Sequence, residues 1–238
     1  RQINQLPDTY MKLDHYDQAL ADFRRDTANH VLTVLHDDGV YRHLRLGTPG
    51  GSSVYCFHLI TYPGGLLYRG DMGDFVFERL HDMLQFFRRP DNEKRYRIDL
   101  RYWAEKVTAA ERGGTREHDP EGFANEIRRR HIDWVRENRH TTTREQRRDL
   151  WESIRDQVLA YADDEHRGPV AAYDFSWNPG YDRDCKRKPG PSFQFSDLFD
   201  SDHAFKRYTR SFMWCCFALV WAIGVYDAAK QPAEMATA

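Results

Sequence analysis

Asp71, Asp74 and Glu78 stand close together around Gly70-Asp71-Met72-Gly73, where a strand-like run passes into a helical one, and His58 and His81 flank them in the chain. Carboxylates and imidazoles gathered in this way could share a divalent metal or divide general acid and general base work between them. Turn chemistry accounts for the two aspartates better, because Asp beside Gly bonds its own local backbone. The three acids are still the catalytic candidates, without a ligand spacing that specifies a metal. A second cluster, Arg183, Lys186, Arg187 and Lys188, precedes Pro189-Gly190-Pro191 and has Tyr181 and Phe193 for company. Cations interleaved with aromatics suit a phosphodiester strand or an acidic partner, which makes these four the binding candidates.

Other charged or polar groups read as structure. Arg128-Arg129-Arg130 and Arg144, Arg147 and Arg148 alternate with acids at helical spacing, the mark of a solvated, ion-paired face. His131 shares a helical face with Phe123, Ile127 and Trp134 and reads as a histidine at the edge of a core. No Gly-x-Ser-x-Gly elbow, P-loop, His-Glu-x-x-His or Gly-x-Gly-x-x-Gly pattern occurs. The glycine pairs Gly50-Gly51 and Gly64-Gly65 lack the Lys and the following helix that a phosphate cradle uses. The expectation is a protein without a cofactor or metal.

The elements that must position these groups begin with a helix whose stripe is Leu13, Tyr16, Leu20, Phe23 and Thr27, ending near Asn29. Val31 to Leu35 and Val40 to Leu46 alternate around Asp37-Asp38-Gly39, and Val54 to Thr61 faces Leu66 to Arg69 across Pro63-Gly64-Gly65. Asp74 to Phe77 supplies a fifth strand before Leu80, Met83, Leu84 and Phe87 take up helical spacing. Three charged helices are expected next, on Leu100/Trp103/Val107/Ala110, on Phe123/Ile127/Trp134 opened by Asp119-Pro120, and on Trp151/Ile154/Val158/Tyr161. Thr142 and Glu145 have the spacing of a capping box for the third. Pro169 to Asp200 reads as an ordered aromatic loop, and Ser201 as the N-cap of a final helix whose stripe starts at Phe205 and Tyr208.

That last segment contains the strongest apolar run, Phe212 to Tyr226, which is apolar on every side and shorter than the ~20 residues that span a bilayer. It is expected as a central core helix, with the tail beyond Gln231 frayed. The amphipathic stretch Met11 to His30 is unlike a signal peptide, so no membrane partner is expected. The 238 residues carry a net charge of −2 and 40% hydrophobic residues, which excludes wholesale disorder and gives no global field toward nucleic acid or anionic lipid. The cysteines Cys56, Cys185, Cys215 and Cys216 form neither a Cys-x-x-Cys pattern nor a disulfide framework, as befits a reducing cytoplasm.

The fold class expected is α+β: an antiparallel β meander packed against a buried C-terminal helix, with a charged helical insertion. The segments are 1–98, β-rich with the first helix; 99–168, charged and helical; and 169–238, loop and core helix.

Leu59-Ile60-Thr61-Tyr62-Pro63-Gly64-Gly65, Gly70 to Gly73 with Phe75-Val76-Phe77, Asp82-Met83 and Phe86-Phe87 resemble a family of uncharacterised bacteriophage and prophage proteins. Tyr102-Trp103-Ala104-Glu105-Lys106, Trp214-Cys215-Cys216, Trp221-Ala222-Ile223 and Tyr226-Asp227 resemble the same family. The resemblance implies phage origin and not a mechanism; because accessory phage proteins of this size often act against host defence, the expectation is a phage accessory protein in the host cytoplasm that binds and inhibits a host protein complex, such as a CRISPR-Cas defence system. It carries no catalytic residues with it and sets no oligomeric state. The alternatives are a metal-dependent enzyme acting on nucleic acid or a nucleotide through Asp71, Asp74 and Glu78, and a non-catalytic nucleic-acid-binding protein using Arg183 to Lys188.

Overall fold

A computed structural model describes residues 15–90, 93–111, 113–180, 190–196, 198 and 205–235, with the side chains of 93 and 231–235 left aside. The elements run α1 (His15–Asp26), β1 (Val31–Asp38), β2 (Tyr41–Gly47), β3 (Phe57–Tyr62), β4 (Gly65–Gly70), β5 (Gly73–Glu78), α2 (Met83–Phe87), α3 (Leu100–Ala104) and β6 (Val107–Ala110). They continue as β7 (Arg116–His118), α4 (Pro120–Asn138), α5 (Arg144–Gln157), α6 (Arg167–Asp174), β8 (Ser176–Trp177), β9 (Phe193–Gln194), β10 (Lys206–Tyr208) and α7 (Arg210–Met235). The fold is α+β, and the chain groups into two compact units. One comprises the described residues up to Arg116 and from Tyr208 onward, and the other Glu117 to Arg207. The expected boundary after residue 98 falls inside the first unit and that after 168 inside the second.

The first unit is a six-stranded antiparallel meander in chain order, β1 to β6. Gly39 and Gly64 sit at φ +58° and +88° in two of its hairpin turns, a region that costs other residues energy. Strict alternation then divides the sheet in two: Leu44, Leu46, Phe57, Leu59, Leu66, Tyr68, Phe75 and Phe77 are fully buried on the inner face. Helix α7 lies within this core; Trp214 meets Phe57 edge-on with ring centres 5.6 Å apart, and Phe212 meets Phe75 at 5.6 Å. Phe23 of α1 packs edge-on against Trp214 at 5.1 Å, and Phe87 of α2 meets Phe77 at 5.1 Å. By length and composition alone Arg210–Lys230 could cross a membrane, and 67% of its most apolar window is buried inside the protein.

Polar contacts fix the far end of α7. The Tyr226 hydroxyl donates to Asp37 at 2.9 Å, Lys230 pairs with the same carboxylate, and Arg88 clasps Asp227 through two hydrogen bonds of 2.7 and 2.9 Å. Burial alone would raise the Asp37 pKa, but hydrogen bonds from Lys230 and Tyr226 outweigh it and hold the carboxyl below its ordinary value.

In the second unit α4, α5 and α6 close on Phe123, Ile127, Leu150, Ile154, Val158 and Ala172, joined by Phe175, Trp177, Phe193 and Leu198. Asp119 caps α4 by accepting from Gly122 N at 3.0 Å, with Pro120 in the first turn as expected. Arg129 and Arg130 both bind Glu126 and Arg148 faces Glu152, so the arginine-rich faces carry ion pairs. Hydrogen bonds from Arg129, then Arg130, lower the Glu126 pKa to about 2. His131 is half-buried beside Trp151, with ring centres 5.0 Å apart, and burial lowers its pKa.

Several local expectations are corrected. The predicted helix on Leu100 to Ala110 stops at Ala104, and Val107–Ala110 pairs with β5 as a sixth strand, which satisfies backbone groups that β5 would otherwise expose. The capping box of α5 uses Thr143 and Gln146, one residue later than Thr142 and Glu145: Thr143 Oγ1 accepts from Gln146 N at 3.1 Å, and Thr143 N donates to Gln146 Oε1 at 2.9 Å. Strand β3 begins at Phe57 and not at Val54, since Cys56 N is engaged in a turn with Ser53 O at 3.1 Å. Phe205 and Tyr208 precede the last helix; Lys206–Tyr208 is a strand, and Thr209 Oγ1 accepts from Phe212 N at 3.2 Å to start α7. Within the predicted loop Pro169 to Asp200, α6, β8 and β9 build the second unit's own core. Ser201 and the cluster Arg183, Lys186, Arg187 and Lys188 lie outside the described residues.

Candidate functional site

The outer face of the six-stranded sheet holds the charged side chains that alternation keeps out of the core. Cross-strand register aligns Thr33 with Arg45, Arg45 with His58, His58 with Arg69, and Arg69 with Asp74. A parallel row places His36 against His43, His43 against Ile60, Ile60 against Leu67, and Leu67 against Val76. Adjacent strands lie about 4.8 Å apart, so each row is a continuous line of neighbouring side chains.

A cavity of about 670 Å³ opens on this face, lined by His43, Arg45, His58 and Arg69 from the strands, by Ser52, Ser53 and Cys56 from the preceding loop, and by Asp71 and Asp74. The loop is pinned from below. Tyr55 takes φ +54°, a strained value for a tyrosine, and three contacts hold it there: its N–H donates to Asp71 Oδ2 at 2.9 Å, its carbonyl meets His30 Nε2 at 3.0 Å, and its ring stacks on Trp214 at 6.1 Å. The Ser52 hydroxyl oxygen accepts from Val54 N at 3.2 Å, shaping the rim.

Inside the cavity His43 Nε2 and His58 Nδ1 are 2.8 Å apart, so the N–H of one ring donates a hydrogen bond to the unprotonated nitrogen of the other. Burial lowers the His58 pKa, and the neighbouring His43, Arg45 and Arg69 add to the effect. Arg69 reaches Asp74 at 3.9 Å, a loose pair between side chains 70% and 48% exposed. Arg45 is half-buried, lies over Gly47 beside the Cys56 thiol, and makes no hydrogen bond or ion pair among the described residues.

The three predicted acids separate. Asp71 and Asp74 line the cavity, whereas Glu78 ends β5 opposite Gly65, at the other end of the hairpin. Among the described residues no group of three or more His, Cys, Asp or Glu side chains could hold a metal ion. His58 belongs to the cavity, and His81 is exposed beyond β5. Sequence reasoning missed His43, Arg45 and Arg69. The signal that would have found them is the alternation itself: aligned across the Gly39 and Gly64 turns, the outward positions of β2, β3 and β4 become neighbours. What the arrangement can do is bind: two guanidiniums, an imidazole pair and two serine hydroxyls converge on one volume, which the carboxylates of Asp71 and Asp74 also line.

No family model, no curated protein and no solved structure matches this chain.

Proposed function

We propose that the protein acts by binding, as a phage accessory protein that holds and blocks a protein complex of its host, such as a CRISPR-Cas defence system, with the outer face of the sheet as its contact surface. The observation that carries the reading is the make-up of that face and its β1 side. Val31, Leu35, Tyr41, Val54 and Tyr62 are all exposed by more than a third, on the side of the molecule that also carries the half-buried Arg45, which makes no hydrogen bond or ion pair among the described residues. Apolar and aromatic side chains around an arginine anchor are the usual make-up of a protein-protein contact, and edge strand β1 adds a row of backbone groups that a partner strand could pair. The phage origin and the host partner rest on the resemblance of Leu59 to Gly73 and of the C-terminal tryptophan and cysteine motifs.

The test is affinity capture from host cells carrying the defence complex, paired with a plaque assay in the same cells. The native protein is expected to retain the complex and restore phage growth, and a folded Leu35→Lys, Tyr41→Ala, Arg45→Glu variant to do neither. Equal capture and growth with that variant would refute the outer face as the contact surface. A purified protein that carries only nucleic acid, lost as salt rises, would replace the reading with nucleic-acid binding.

A further inference from the structure

We propose that the cavity on the outer face is a binding site for an oxyanion of the phosphate class, held between the guanidiniums of Arg45 and Arg69 above the His43–His58 pair. The assignment deepens the reading of this face as the contact surface and rests on it for location alone. A half-buried guanidinium has given up part of its hydration, and that loss is recovered only through an acceptor. Arg45 has none among the described residues, although it opens into a cavity large enough for a ligand. Arg69 has only the loose contact with Asp74, which leaves most of its N–H groups directed to solvent.

Geometry favours phosphate over a carboxylate. Arg45 and Arg69 stand two strands apart in one register row, about 9.6 Å between strand axes, with His58 between them. Two long side chains closing on one group across that span suit a tetrahedral ion with acceptor oxygens on several sides, whereas a carboxylate offers one edge to one guanidinium. Ser52 and Ser53 at the rim supply neutral donors. The opposing groups are Asp71 and Asp74. Asp71 spends one oxygen on the Tyr55 N–H, and Asp74 faces Arg69, so Arg45, which pairs with no acid among the described residues, is the main anchor. The carboxylates set a ceiling on affinity.

The imidazole pair reports occupancy. His43 and Arg45 of β2, Arg69 of β4, Asp74 of β5, Asp71 of the β4–β5 turn, the Cys56 thiol of the preceding loop and the exposed His36 of β1 are the charged or titratable groups around it. Arg45 and Arg69 act against a proton on His58, so an anion seated between them must make that proton easier to hold. The experiment is an NMR titration of the histidine side chains with and without inorganic phosphate, together with calorimetry using inorganic phosphate, a 5′-mononucleotide and a short single-stranded oligonucleotide. Phosphate is expected to raise the His58 midpoint. Arg45→Ala and Arg69→Ala are each expected to weaken binding about tenfold, with Arg45→Lys recovering part of the loss. A mononucleotide bound as tightly as the oligonucleotide identifies a small phosphorylated ligand, and a much tighter oligonucleotide identifies a strand; both support the site. An unmoved His58 midpoint, or alanine variants that bind phosphate as tightly as the native protein, overturns it. If phosphate binds while no host complex is captured, the host-complex reading fails alone; capture with no phosphate binding by the purified protein sinks only the anion site.

Discussion

Leu44 and Arg45 are neighbours on one strand and point to opposite faces of the sheet, which makes them a controlled comparison between holding the fold and meeting a ligand. Leu44 is fully buried, paired in register with Val34 and Leu59. Truncating it to alanine removes three buried carbons and leaves a void in the inner-face core, a change that costs about 3 kcal/mol. That is a large part of a total stability of roughly 5–15 kcal/mol. Arg45 makes no hydrogen bond or ion pair among the described residues, so Arg45→Ala should shift stability by no more than about 0.5 kcal/mol. The assay is urea unfolding read by amide exchange of peptides from β2 and β3, because two compact units need not unfold together and a whole-molecule signal would mix them. A loss for Arg45→Ala as large as that for Leu44→Ala would make the guanidinium a structural group and refute the division of the sheet into a folding face and a binding face. A loss below about 1 kcal/mol for Leu44→Ala would refute the packing of the inner face.

Asp37→Asn removes the carboxylate shared by Tyr226 and Lys230 and is expected to cost about 1–2 kcal/mol at neutral pH by chemical unfolding. The Asp37 pKa is depressed in the fold, so its contribution is complete above the unfolded value near ~3.9 and disappears as pH falls through the folded one; the gap between native and variant should close in acid, and a gap independent of pH would count against the contact. Thr143→Ala breaks the reciprocal cap of α5 and is expected to cost about 1 kcal/mol, seen as faster amide exchange in the first turn of that helix.

How far the sequence revealed this molecule follows from the range of each signal. The hairpins were legible because Asp38-Gly39 and Pro63-Gly64-Gly65 fix turns within a few residues, and α7 because an all-round apolar helix has no place except a core. Strand β6 was not, because Val107-Thr108-Ala109-Ala110 lacks alternation of its own and Leu100, Trp103, Val107 and Ala110 fit a helix; only the unfilled edge of β5 decides the matter. Chain proximity misled at the acids, since Glu78 is near Asp74 in the chain and points to the other end of the hairpin. The site residues meet only through register, and register is a property of the assembled sheet.

That dependence also explains how the proposed anion site would be rigid without being stabilising. A slip of one residue in β2, β3 or β4 would turn Arg45, His58 or Arg69 into the core and Leu44, Leu59 or Tyr68 into water, so the inner face fixes the register far more strongly than any polar contact on the outer one. The guanidiniums and imidazoles are consequently held in line by packing energy on the side they do not touch, with the strained Tyr55 loop clamped to Trp214 of the same core. Substitution on the outer face then changes what is bound while leaving the frame intact, whereas substitution on the inner face removes the frame and the site together. If the outer face is the recognition surface proposed above, this separation lets specificity vary at positions where stability is indifferent.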